Sequence, residues 1–507
     1  MKHDAWNPGL SSEIPARLLP MVTLYHPENS TVGYEDAKEA ARFCGLKPAD
    51  MVAFTLERLV THELLIRVTA DLSVPDGPDY EELGINLRGM VALEPEPEEK
   101  QGFFQRLLGR NKPPATPRPR EIDALAKLEA KRETVSDPAQ KYALDALIRV
   151  GRGIASSHGR LVPDIALITR FALNLFMNEF GAQETGRFIA PIIQRAAAAE
   201  GYRFLPSQEK PFFMNVKGAS ASGKSTIRPQ QRALAGKLDI PWEDFALISP
   251  DYWRKYLLDY DSLGEDRKYA AMLTGQELEI IDKKLDAYIE AKASKHAIPH
   301  LLIDRFRFDS FSTDQEGKIS SRLLTRFGDT VFLYFLVTPP ASTVERAWLR
   351  GLETGRFKAV DDLLFHNIEA YTGMPQLFFS WMGSTEKKIH FEFLDNSVPY
   401  GERPRTIAYG WNDRMVVLDV EGLHNIDRFR AVNVEATRAE DVLMPSPEMT
   451  FFERCAARFD RLCVVDPKTG ELSAQAISGD WQEPEDLKAV DPALLEADRN
   501  LTLGAWN

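Results

Sequence analysis

An apolar run, FFMNV at residues 212–216, opens straight into a glycine-bounded loop, GASASGKST at 218–226. Few features constrain a fold as tightly. A strand has to end at the loop and a helix has to begin after it. Between them the backbone turns so sharply that it calls for glycine at both ends. The stretch STIRPQQRALAGKL can supply the helix, with its N-terminus toward the loop. A loop of this kind presents backbone N–H groups to phosphate oxygens. Gly218, Ala219, Ser220, Ala221, Ser222, Gly223, Lys224, Ser225 and Thr226 are therefore candidate ATP-binding residues. Lys224 would reach the β- and γ-phosphates, and Ser225 would hold Mg²⁺.

The surrounding pattern agrees with that unit. FFMNV is followed by four more β-type runs: FALIS (245–249), HLLID (300–304), VFLYFLV (331–337) and IHFEFLD (389–395). Amphipathic stretches separate them. The expected fold class is α/β, a P-loop kinase core whose mostly parallel sheet is flanked by helices. RTIAYGW and RMVVLDV read as a hairpin around WNDR. Upstream the spacing of apolar residues is helical, in YEDAKEAARF, in ADMVAFTLERLVTHELLIRV and again over 124–200. Between these lies a proline- and charge-rich stretch, 94–123, with the composition of a flexible linker. The resulting division is a helical region 1–93, a linker 94–123, a helical region 124–205, a kinase-type domain 206–425 and an extension 426–507.

Charge and cysteine content narrow the partners. The net charge of −13 and the pI of 5.4 argue against broad nucleic-acid binding, which needs a basic surface. Three cysteines, Cys44, Cys455 and Cys463, are too few and too scattered for a disulfide framework or a metal pair. The start MKHDAWNPGLSSEIP lacks the basic-then-apolar order of a secretory leader. The most apolar helical stretch, DIALITRFALNLFMNEFG, carries Asp164, Arg170 and Glu179, which suits a buried helix better than a bilayer span. A cytoplasmic protein with no membrane partner is expected.

A phosphate loop serves motors, switches and kinases alike, so the other residues have to decide. A motor ATPase usually ends a later strand with an acidic pair, but here Asp304 is followed by Arg305. No N-K-x-D stretch is present to read guanine. A small kinase needs a carboxylate to take the acceptor's proton and arginines to spread charge in the transition state. Asp251 follows the second strand in ISPDYWRKYL, with Arg254 three residues on. A plain helix N-cap is the alternative reading of Asp251. Arg346 and Arg350 lie four apart in TVERAWLRGLETGRFKA, hence on one helical face, and Arg356 follows two glycines. That is the composition of a lid closing on ATP, with a solvated basic helix as the alternative.

Taken in order, GASASGKST, ISPDYWRKYL, LLIDRF and TVERAWLRG…TGR resemble the zeta-toxin kinases and their polynucleotide-kinase-like relatives, over residues 211–396. The resemblance implies transfer of the ATP γ-phosphoryl group to a hydroxyl of a small, often nucleotide-linked substrate; zeta toxins act on UDP-N-acetylglucosamine. It implies Asp251 as general base, Lys224 and Ser225 in the phosphate and Mg²⁺ roles, and Arg346 and Arg356 as lid arginines. Asp304 falls where zeta toxins have a substrate-side Glu, which is a departure. Asp251 and Arg254 also resemble the acceptor-side pair of phage polynucleotide 5′-kinases, so the acceptor stays open between the two. An ATP-gated switch and plain ATP hydrolysis are the further rivals. Zeta kinases are paired with helical antitoxins, and the N-terminal helices here are candidates for a regulatory segment acting in cis.

Overall fold

The computed structural model describes residues 5–6, 120–158, 165–181, 201–249, 288–304, 330–355, 357–383, 387–399, 401–445, 448–483 and 492–506, with a few single positions besides. Asp251, Arg254 and Arg356 lie outside the described residues, as do the helical runs before residue 94, the linker up to residue 119 and Cys44. The chain divides into two compact units, 20–203 and 204–507 with 1–19.

In the first unit three helices are described: α1 (Arg120–Thr134), α2 (Pro138–His158) and α3 (Ile165–Phe176), the last running into a π turn over Met177–Gly181. Helix α2 starts where it does because the Asp137 carboxylate accepts the Gln140 amide at 3.0 Å and Pro138 needs no donor in the first turn. Its buried residues Ala143, Leu144, Leu147, Val150 and Ile154 recur at helical spacing, forming one apolar face. In α3, Ile168, Phe171, Ala172 and Leu175 are buried. Among the described residues no helix is long and apolar enough to cross a membrane.

The second unit is built on one ten-stranded sheet. The five runs read from sequence are its strands β1 (Phe213–Lys217), β2 (Phe245–Ile248), β3 (His300–Asp304), β4 (Thr330–Val337) and β5 (Lys388–Asp395). They stand in the order β2-β3-β1-β4-β5, all parallel. The hairpin follows as β6 (Arg405–Trp411) and β7 (Arg414–Val417). The sheet then runs on past residue 425. Strand β8 (Arg461–Val465) lies parallel to β7, and β9 (Leu472–Ile477) and β10 (Asp480–Trp481) complete the edge. The α/β class is therefore as expected, with a mixed sheet larger than the five runs alone define.

Both faces of the sheet are covered, which is why the central strands are mostly apolar. On one face α4 (Arg228–Lys237) sets Leu234 and Ala235 against Met214, Val216, Phe332 and Leu336. On the other, α6 (Val360–Met382) sets Tyr371, Met374, Phe378 and Trp381 against Phe213, Phe335, Phe391 and Phe393. Helices α7 (Val420–Arg428) and α8 (Phe451–Arg458) extend that second layer. Cys455 and Cys463 are buried free thiols within this unit.

A closing strap, helix α9 (Pro492–Arg499) and the residues to 506, lies along β6. Asp498 accepts from Trp411 Nε1 at 3.0 Å and pairs with Arg414. The Leu503 and Gly504 amides donate to the buried Glu392 carboxylate at 2.6 and 2.9 Å, and Thr406 Oγ1 adds a third donor at 2.7 Å. Burial still pushes Glu392 up to about 7, against the downward pull of these donors and of Arg403.

Two residues earlier on β5, His390 is buried between Phe332 and Trp411, with ring centroids 4.8 and 5.0 Å away. Among the described residues neither ring nitrogen has a hydrogen-bond partner. Burial drives its pKa down to about 3, with Arg414 adding to the fall. A depressed base leaves stability intact above the unfolded value of about 6.5 and removes it as pH falls toward the folded value. His390→Phe is therefore expected to gain on the natural protein by about 2 kcal/mol between pH 7 and pH 5, read by urea unfolding. The titration of Glu392 is common to both proteins and largely cancels in that difference. A gap that stays constant with pH would show that His390 is not held neutral by the fold.

Candidate functional site

Strand β1 is flanked by β3 on one side and β4 on the other, so the strand order reverses at its carboxyl end. That is where open α/β sheets leave a crevice for ligands. The glycine loop 218–225 emerges there. Gly218 closes on β4: an added Cβ would stand 3.1 Å from Leu336 Cβ and 3.2 Å from its carbonyl oxygen. Gly223 has φ +96°, and an added Cβ would stand 2.4 Å from Asn396 Nδ2. Gly223 is thus required by its backbone angle as well as by sterics, while any side chain at Gly218 would crowd β4.

The loop leads into a 3-10 turn, Lys224–Ile227, and then into α4. Pro229 in the first turn of α4 fixes where the regular helix begins. Thr226 binds back to the Gly223 carbonyl through its amide at 3.0 Å and its hydroxyl at 2.7 Å. Lys224 Nζ donates to the Gly218 and Ala219 carbonyls at 3.1 and 2.9 Å, so the ammonium is held over the loop. Ser225 is exposed.

Asp304 ends β3 directly beside Val216 of β1. Its Oδ2 accepts from Arg228 Nη2 at 2.9 Å, in a pair only 14% and 21% exposed. Arg228 is the first residue of α4, so this pair ties the β3 end to the helix behind the loop.

Arg346 and Arg350 lie on α5 (Pro340–Thr354). Arg346 Nη2 donates to the Asn396 and Val398 carbonyls, both at 2.8 Å, and Nη1 lies 3.5 Å from the Ser222 carbonyl. Burial lowers its pKa and the Asp395 carboxylate opposes the drop; a guanidinium so placed stays charged. Helix α5 ends at Gly355 with φ +73°. Phe357 then turns back, its ring 5.2 Å from that of Trp348.

The structure brings Lys224, Ser225, Asp304 and Arg346 to the carboxyl ends of the central strands. It also brings three residues that sequence reading passed over: Arg228, Thr338 and Asn396. The last two each follow an apolar strand directly, in LVTPP and FLDNS, and a polar residue at that point was the available signal.

Fold and site together define an α/β protein with a strand–glycine loop–helix unit at the switch point of its sheet. No known family model matches the chain, and no curated protein is similar to it at a significant level.

Proposed function

We propose that this protein is an ATP- and Mg²⁺-dependent kinase that transfers the γ-phosphoryl group to a hydroxyl of a small, nucleotide-linked substrate, as zeta-toxin kinases do. The observation that carries the reading is the glycine loop at the switch point, with the Lys224 ammonium held over it. Backbone amides, the 3-10 turn and Lys224 together offer a concentrated positive potential to a phosphate chain.

Mg²⁺ fits the donors present. It takes one or two protein oxygens plus phosphate oxygens and waters, not a closed protein cage. The exposed Ser225 hydroxyl is such a donor, and the Asp304 carboxylate lies at the neighbouring strand end. When bound, the ion neutralises charge on the phosphate oxygens. The chain's own residues do the rest. Lys224 holds the terminal phosphates, Arg346 keeps a fixed positive charge beside the loop, and Arg350 and Arg356 are the further lid cations. Asp251 takes the acceptor's proton, and Arg254 and Asp304 orient the acceptor.

Asp251→Ala is expected to remove transfer while ATP binding stays within about threefold. Labelled ATP and a small-metabolite extract, with the product identified by mass spectrometry, provide the assay. Undiminished labelling by the purified variant would refute the base assignment. A product labelled on a nucleic-acid 5′-hydroxyl would move the acceptor to the polynucleotide class.

A further inference from the structure

The Ser222 carbonyl oxygen gathers several donors. Asn396 Nδ2 donates to it at 2.7 Å and Thr338 Oγ1 at 3.1 Å, and Arg346 Nη1 lies 3.5 Å away. Thr338 follows β4 and Asn396 follows β5, so the loop is gripped from the far side of β1. All three groups are buried: Ser222 and Thr338 are 0% exposed and Asn396 3%. Thr338 is itself fixed. The Tyr371 hydroxyl on α6 accepts from the Thr338 amide and donates to its carbonyl, both at 2.7 Å. Asn396 is fixed too, because Arg346 holds its carbonyl.

The consequence lies on the next atom of the chain. Among the described residues no peptide bond is cis, and in a trans unit the C=O and the following N–H point in opposite directions. A Ser222 carbonyl drawn toward the β4 and β5 ends therefore turns the Gly223 amide away from them. Among the described residues, no backbone carbonyl accepts from that amide.

We infer that Thr338 and Asn396 are positioning residues that aim the Gly223 N–H at the phosphate chain. The inference rests on the kinase reading and deepens it. Neither side chain touches the nucleotide. Both act by holding one peptide unit in the orientation that an anion needs, so that binding does not have to reorganise it. A loop whose amides are already aimed has less orientational freedom to lose when the ligand arrives.

The test is ATP and inorganic tripolyphosphate affinity, by titration calorimetry, across four proteins. Thr338→Val keeps the shape and loses the donor, while Thr338→Ser keeps the hydroxyl. The fourth is the double variant Thr338→Val/Asn396→Ala. The double variant is expected to weaken both ligands by roughly 10- to 100-fold, with the Val variant between it and the natural protein. Thr338→Ser is expected to bind within about twofold. Tripolyphosphate should lose the same factor as ATP, since only the phosphate contacts change. A Ser variant as weak as the Val variant would overturn the assignment, because the hydroxyl would then not be the active group. Unchanged affinity in the Val and double variants would also overturn it. A natural protein that binds neither ATP nor tripolyphosphate would instead overturn the kinase reading, and this assignment with it. The single variants leave most of the core intact, so one of them remains measurable if the double variant does not fold.

Discussion

Lys224→Ala is expected to lower phosphoryl transfer by at least about 100- to 1,000-fold, the usual cost of deleting a fixed positive group that stabilises a transition state. The fold should barely register the change. The hydrogen bonds lost include those to the loop carbonyls of Gly218 and Ala219, made by a half-buried side chain. Thermal unfolding should therefore stay within a few degrees of the natural protein. Single-turnover transfer from labelled ATP measures the first quantity and circular dichroism the second. A variant that transfers normally would remove the basis for placing the donor nucleotide at this loop.

Removing residues 492–507 is expected to lower the unfolding midpoint by on the order of 10 °C. Three losses coincide. Leu503, 1% exposed, leaves a core that it shares with Met214, Phe332 and Trp411. Burying a side chain of that size stabilises by about 2 kcal/mol. Arg414 and the Trp411 indole lose Asp498. Glu392 loses two of its three hydrogen-bond donors in a site that already penalises its charge. A buried acceptor stripped of its donors costs about 1–3 kcal/mol for each. The total, about 5 kcal/mol, is a large part of what holds a typical domain together. A shift below about 2 °C would mean that the strap is an ornament on an independently stable sheet.

Much of the fold was legible in the residues. VFLYFLV is buried on both faces and reads as an unbroken apolar run, IHFEFLD is an apolar run interrupted by His390 and Glu392, and the strands fall within a residue or two of both. The glycine loop was legible because its residue pattern is contiguous. What stayed hidden depends on separation along the chain. RLCVV at 461–465 is a short run whose place beside β7 is set by pairing, not by its own pattern. Glu392 looks like a misplaced charge until Leu503 and Gly504 reach it. Thr338 and Asn396 are single polar residues whose meaning appears only when the sheet order brings the β4 and β5 ends to the loop. The anchoring of the Arg346 guanidinium on the Asn396 and Val398 carbonyls was equally out of reach, because helical spacing reveals a shared face and not its contacts.

The strap also sets a schedule for the newborn chain. Glu392 leaves the ribosome 111 residues ahead of its partner Leu503. At about 5–20 residues per second, that is a wait of roughly 6–20 seconds. During it, β4, β5 and β6 can already pair, with an acid in their midst that has no backbone donors from the strap. Burial raises the pKa of this carboxyl and the strap amides lower it, so until those amides arrive burial in the sheet favours the protonated form, which gives up part of the penalty. A translation pause inside that interval would prolong the exposure of an unfinished sheet, so slow codons between 392 and 503 should cost soluble yield more than the same codons placed before β1.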